Sequence, residues 1–184
     1  MGTALLVMDM QNGIVERFAE RSRSLIAAVS SALAAARQRH VPVIYVRVAF
    51  RDGAPEISPR NRSFSAIAHR DAMSEVALAT QVHPGVAPVP GDATVVKRRV
   101  SAFTGSDLDV VLRAQGIDSL VLTGISTSGV VLSTTREAAD RDFELTILSD
   151  GCADLDDEVH RVLMEKVLPR QAAIMTTEEW IAQL

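Results

Sequence analysis

Apolar residues in this chain fall into two kinds of run. Short, nearly unbroken ones occupy residues 4–9, 41–48, 94–97, 119–123, 144–149 and 172–175. Their length and β-branched content predict strands. Between them lie segments with helical spacing, roughly 24–39, 106–115, 127–141, 156–167 and 177–183, the second ending at Gly116. The strands lack strict alternation, as expected when helices cover both faces of a sheet. The pattern predicts an α/β fold: a doubly wound, six-stranded, mainly parallel sheet with helices on both faces. In such folds ligands bind outside the carboxyl ends of the strands, where the strand order reverses.

The interval 49–90 breaks the rhythm. It holds most of the chain's seven prolines, several arginines and only a hint of a short helix near 74–80. A connection of this length is expected to serve as a lid or substrate loop. No composition shift marks a second domain, so residues 1–184 are expected to form one.

Composition narrows the function. With 47% hydrophobic residues and a formal charge of −4, the chain can bury a full core but offers no basic stripe for nucleic acid. No run approaches the roughly 20 apolar residues that span a bilayer, and the first residues lack a signal-peptide pattern. A cytoplasmic protein acting on a small molecule, without nucleic acid or membrane partners, is expected. Cys152 is the sole cysteine, and His40, His69, His83 and His160 are scattered without ligand spacing, so neither a metal nor another cofactor is expected.

Three features at predicted carboxyl ends carry chemistry. Asp9 closes the first apolar run, where a neighbouring ammonium would keep its carboxylate ionised, and Lys97 ends the third. The third is the turn Thr123-Gly124-Ile125-Ser126-Thr127-Ser128-Gly129-Val130, from strand into helix. Gln11, Asn12 and Phe18 follow Asp9 closely enough to line a pocket, and Phe64 and Phe103 are candidates for its apolar wall. Arg47, Arg51, Arg60 and Arg62 are candidates for a carboxylate-binding residue.

Taken together, Asp9-Met10-Gln11-Asn12, Lys97 with Ser101-Ala102-Phe103, and the stretch from Thr123 to Arg136 resemble the isochorismatase-like hydrolase superfamily. The resemblance implies a cysteine nucleophile at position 130, where this chain has Val130. A valine has neither a lone pair nor an ionisable proton, so covalent catalysis through position 130 is excluded. The resemblance further implies Asp9 as general acid/base, Lys97 supporting it or polarising the substrate, and a cis peptide between Ile125 and Ser126. Backbone groups of residues 125–130, at the helix start, would bind an oxyanion. Gln11, Phe103, Ile125, Ser126, Gly129 and Val130 are the expected substrate contacts. Superfamily members often form dimers or tetramers, so a homo-oligomer is expected.

Isochorismatases themselves also lack the cysteine and hydrolyse a vinyl ether by protonating its enol carbon. They carry an aromatic residue and a histidine where this chain has Ser126 and Thr127, and glycine in place of Val130. Two functions follow: a hydrolase acting through Asp9 and Lys97 with no covalent intermediate, or a pseudoenzyme that binds a metabolite or partner protein in the inherited pocket. Cys152, or a serine of the turn, is the remaining candidate nucleophile.

Overall fold

The computed structural model describes residues 2–18, 21–67 and 71–184. Its strands are β1 (Gly2–Met8), β2 (Val43–Val48), β3 (Ala93–Lys97), β4 (Ile117–Ile125), β5 (Glu144–Ala153) and β6 (Ala173–Met175). The helices are α1 (Asn12–Val15), α2 (Arg21–Gln38), α3 (Arg62–Ser65), α4 (Leu108–Ala114), α5 (Leu132–Ala139), α6 (Asp157–Val162) and α7 (Thr177–Ile181). All six strands pair in parallel in the order β3-β2-β1-β4-β5-β6. The chain builds outward from β1 to β3, returns through α4 and builds outward the other way from β4. The order therefore reverses between β1 and β4, and their carboxyl ends form the crevice that binds ligands in folds of this class.

Strand β1 shows why its sequence is apolar throughout. Leu5 and Val7 join one core with Leu25, Val29, Leu33 and Ala36, the inward stripe of α2. Leu6 and Met8 point to the opposite core with Leu108 and Leu112 of α4, Val131, and Ala138 of α5. A central parallel strand has no wet face, and period-2 geometry sends alternate residues to alternate layers.

Glycine fixes two junctions. Gly116, with φ of 63°, follows the last turn of α4 and lets the chain reverse into β4. Gly124 has φ of 138°, and a Cβ there would lie 2.1 Å from the Met8 carbonyl oxygen. The carboxyl ends of β1 and β4 approach this closely because position 124 has no side chain.

Three elements differ from the sequence expectation. Strand β5 continues past Ser149 to Ala153, because a register shift lets Cys152 and Ala153 pair with Gly124 and Ile125. The Asp150-Gly151 step, which reads as a turn, is part of this irregular strand. The helix expected from residue 127 opens instead with a wide turn, Thr127–Val131, in which Gly129 has non-helical dihedrals, and α5 proper begins at Leu132. The hinted helix near 74–80 is a single 3₁₀ turn, Leu78–Thr80.

The described parts of the 49–90 connection are anchored to the sheet. The Gln11 amide, 1% exposed, donates to the Val48 and Thr80 carbonyls and accepts the Val48 N–H. Asn12 donates to Leu78. Arg98 donates to the Ala49 carbonyl and pairs with Glu75, while Arg99 donates to the Glu56 carbonyl. These two arginines brace the connection against the end of β3.

Candidate active site

Asp9 is the first residue after β1 and has φ of 56°, a left-handed conformation uncommon for a residue with a side chain. The turn places its carboxylate at the mouth of the β1–β4 crevice. Lys97, the last residue of β3, reaches it: Nζ lies 2.9 Å from Oδ2, and the two side chains are 2% and 7% exposed. The same ammonium donates to the Arg99 and Val100 carbonyls at 3.1 and 2.8 Å. With its three donors engaged, Lys97 holds Asp9 in place and has none left for a substrate.

Asp9 Oδ1 is buried without a hydrogen-bond partner. Burial pushes the Asp9 carboxyl above its ordinary range, and the Lys97 ammonium opposes that shift without cancelling it. The ammonium expected beside Asp9 is Lys97, and burial acts against it on the same carboxyl.

Asp9 and Lys97 form the floor of a cavity of about 360 Å³. Ile125, Ser126, Ser128, Gly129 and Val130 form one wall, and Ile14, Phe18, Val48, Phe64 and Val100 supply apolar surface. The Ile125–Ser126 peptide is cis. Val130 is 2% exposed and belongs to the core behind the wall, yet it leaves the cavity open.

Other expected residues fall elsewhere. Phe103 is not a cavity wall: it sits in the core 5.9 Å from the Phe143 ring, with the Arg141 guanidinium over its face. It points away because the segment after β3 turns under α5, where Thr134 accepts the Ala102 N–H. Gln11 does not border this cavity, and its amide is consumed by backbone partners. The Gly129 N–H donates to Ser126 and the Ser128 N–H to Asp154 Oδ2 at 2.7 Å, so neither is a free oxyanion donor. Of the four candidate arginines, Arg47 donates to the Glu75 carbonyl, Arg51 pairs with Glu56, and none borders the cavity.

Cys152 is excluded as a substitute nucleophile. It is 5% exposed, its thiol lies 3.9 Å from the Leu122 carbonyl, and burial pushes it up to about 12, far from the thiolate. His69 lies outside the described residues, and among the described ones no cluster of His, Cys, Asp or Glu could hold a metal.

Sequence reasoning missed two residues. Asp154 follows β5 as Asp9 follows β1, borders the cavity and fixes the turn through Ser128. Ending the strand at Ser149 hid that analogy. Arg17 stands three residues after Ile14, one helical step along the same wall.

A buried Asp–Lys pair thus lies at the β1–β4 reversal, facing a turn whose first peptide is cis. The isochorismatase domain family matches residues 3–179. The chain belongs to the isochorismatase family. A relative in Bacillus subtilis, the uncharacterized isochorismatase family protein YwoC, is 32% identical over 182 residues, covering 99% of this chain and 94% of its own. A probable inactive nicotinamidase of Arabidopsis thaliana is 28% identical over 188 residues, covering 99% and 96%. Among solved structures, a cysteine hydrolase from Pseudomonas syringae superposes with a TM-score of 0.91 at 25% identity, covering 98% of this chain and 91% of that one. Within this isochorismatase-family scaffold the charge pair and the turn are present, and position 130 carries an isopropyl group.

Proposed function

We propose that this isochorismatase-family protein hydrolyses a small metabolite through Asp9, with Lys97 as its positioning residue and no covalent intermediate. The observation that carries the reading is Asp9 itself: a buried carboxyl with one unpartnered oxygen, raised pKa and an open cavity before it. A protonated Asp9 gives its proton to the substrate, water adds to the carbon made electrophilic, and the Asp9 carboxylate takes a proton back from that water. The adduct then collapses, its new hydroxyl becoming a carbonyl as the bond to the leaving group breaks and the hydroxyl proton passes to the departing alcohol or amine. Val130 contributes shape alone. Ser126 and Ser128, both on the cavity wall, offer hydroxyls to orient the substrate.

A second reading is a binding protein that turns nothing over. It is favoured by the packed, inert Val130 and by the relative named as a probable inactive nicotinamidase. The Asp9→Asn variant separates the two when assayed against a panel of vinyl ethers, amides and ureido compounds. Turnover by the wild type that is lost in the variant supports the hydrolase. Absence of turnover in both, with ligand binding retained, establishes the binding protein.

A further inference from the structure

A second cavity, of about 620 Å³, lies beneath the 49–90 connection and shares Ile14, Arg17, Val48 and Phe64 with the first. Its remaining lining includes Ile67, Ala72, Met73 and Ala79. Gln11 also borders it, but its amide is saturated by the Val48 and Thr80 backbone. Among the described residues that line the second cavity, Arg17 is the one that carries a charge, and it stands at the junction of the two.

The charges around that junction are unequally committed. Asp9 and Lys97 face each other, and Asp154 accepts the Ser128 amide. Arg17 is exposed and has no hydrogen-bond or ion-pair partner among the described residues. A guanidinium without a partner among the described residues, set between the Asp9–Lys97 cavity and a largely apolar one, matches an anion with an apolar body, and its planar fork suits a carboxylate.

We propose that the substrate of this site is an organic carboxylate, its anionic group held by Arg17 and its apolar portion lodged in the second cavity against Phe64, Ile67 and Met73. This rests on the reading of the first cavity as the reaction site and adds the class of molecule it receives. Arg17 is then the specificity-determining residue, and the 49–90 connection sets the size of the apolar group.

Direct binding tests the assignment without turnover. Acetate, butanoate, hexanoate and hexanamide are titrated calorimetrically into the wild type and into Asp9→Asn, Arg17→Gln and Ala72→Phe variants. Hexanoate is expected to bind more tightly than acetate, with a gain of up to roughly fourfold per methylene as the chain is buried. Arg17→Gln is expected to weaken hexanoate at least about tenfold and leave hexanamide unchanged. Ala72→Phe is expected to weaken hexanoate but not acetate. Equal binding of hexanoate and hexanamide, or an unaltered hexanoate affinity in Arg17→Gln, overturns the proposal. So does the absence of saturable hexanoate binding. Arg17 is exposed, so its replacement does not threaten the fold. Carboxylate binding that persists in Asp9→Asn, beside a wild type without turnover, would refute the hydrolase reading while upholding this one.

Discussion

The Asp9 carboxylate and the Lys97 ammonium meet at 2.9 Å although their residues end strands two places apart in the sheet, with β2 between them. The lysine is held by two carbonyls from its own loop, so the pair is rigid on one side and open to the cavity on the other. Removing the ammonium leaves a buried carboxyl without the charged partner it has in Lys97. The Lys97→Met variant is expected to lose about 3–5 kcal/mol of stability at neutral pH, measured by urea denaturation.

The pH dependence follows from the direction of the Asp9 shift. A carboxyl whose pKa is higher folded than unfolded stabilises the fold most below its unfolded value, and that contribution is lost as pH rises through the folded value. The stability of the wild type relative to Asp9→Asn is therefore expected to fall as pH rises above the ordinary carboxylate range. Catalysis that needs the protonated acid should fade over the same interval. A stability difference flat with pH would refute the shift.

Cys152 should be silent. Its thiol pKa, raised to about 12 by burial, predicts negligible alkylation by iodoacetamide in the native state at neutral pH and rapid alkylation in urea. Cys152→Ala is expected to cost about 1–2 kcal/mol for the lost packing and to leave any turnover intact.

Position 130 offers a gain-of-function test. The V130C substitution places a thiol on the wall of the cavity that Asp9 and Lys97 also line, at a packing cost of about 1 kcal/mol. That thiol is expected to be alkylated in the folded protein while Cys152 is not, a distinction read by peptide mass spectrometry. Labelling of both cysteines at equal rates would show that the site does not activate a nucleophile at this position.

Gly124 is expected to tolerate no side chain. Gly124→Ala drives a Cβ into the Met8 carbonyl and imposes a left-handed φ, so a loss of at least about 3 kcal/mol is predicted by thermal or urea unfolding.

Much of this was legible from residue pattern alone. The strands and their doubly wound arrangement followed from unbroken apolar runs, because a central strand such as β1 has to satisfy two cores at once. Asp9, Lys97 and the 124–130 turn were singled out because they end strands, where such folds place ligands, and because together they resemble the superfamily's motif; Lys97 by itself reads as a solvated strand-end charge. Phe103 was misplaced because an aromatic residue near a motif looks the same whether it faces a cavity or the core. Its direction depends on how the segment after β3 tucks under α5. Arg17 and Asp154 were missed for a related reason, since neither interrupts a hydrophobic pattern. The saturation of Lys97 by its own loop carbonyls has no sequence signature.

The alternation of Leu5, Leu6, Val7 and Met8 between the two cores has a consequence for how the protein fails. The acid sits at the tip of a strand gripped on both sides, so its position cannot loosen without both layers giving way. Heating should preserve the reacting geometry up to global melting, and inactivation should coincide with loss of the whole fold. The 2.9 Å spacing of Asp9 and Lys97 should therefore persist on warming until the two cores melt together.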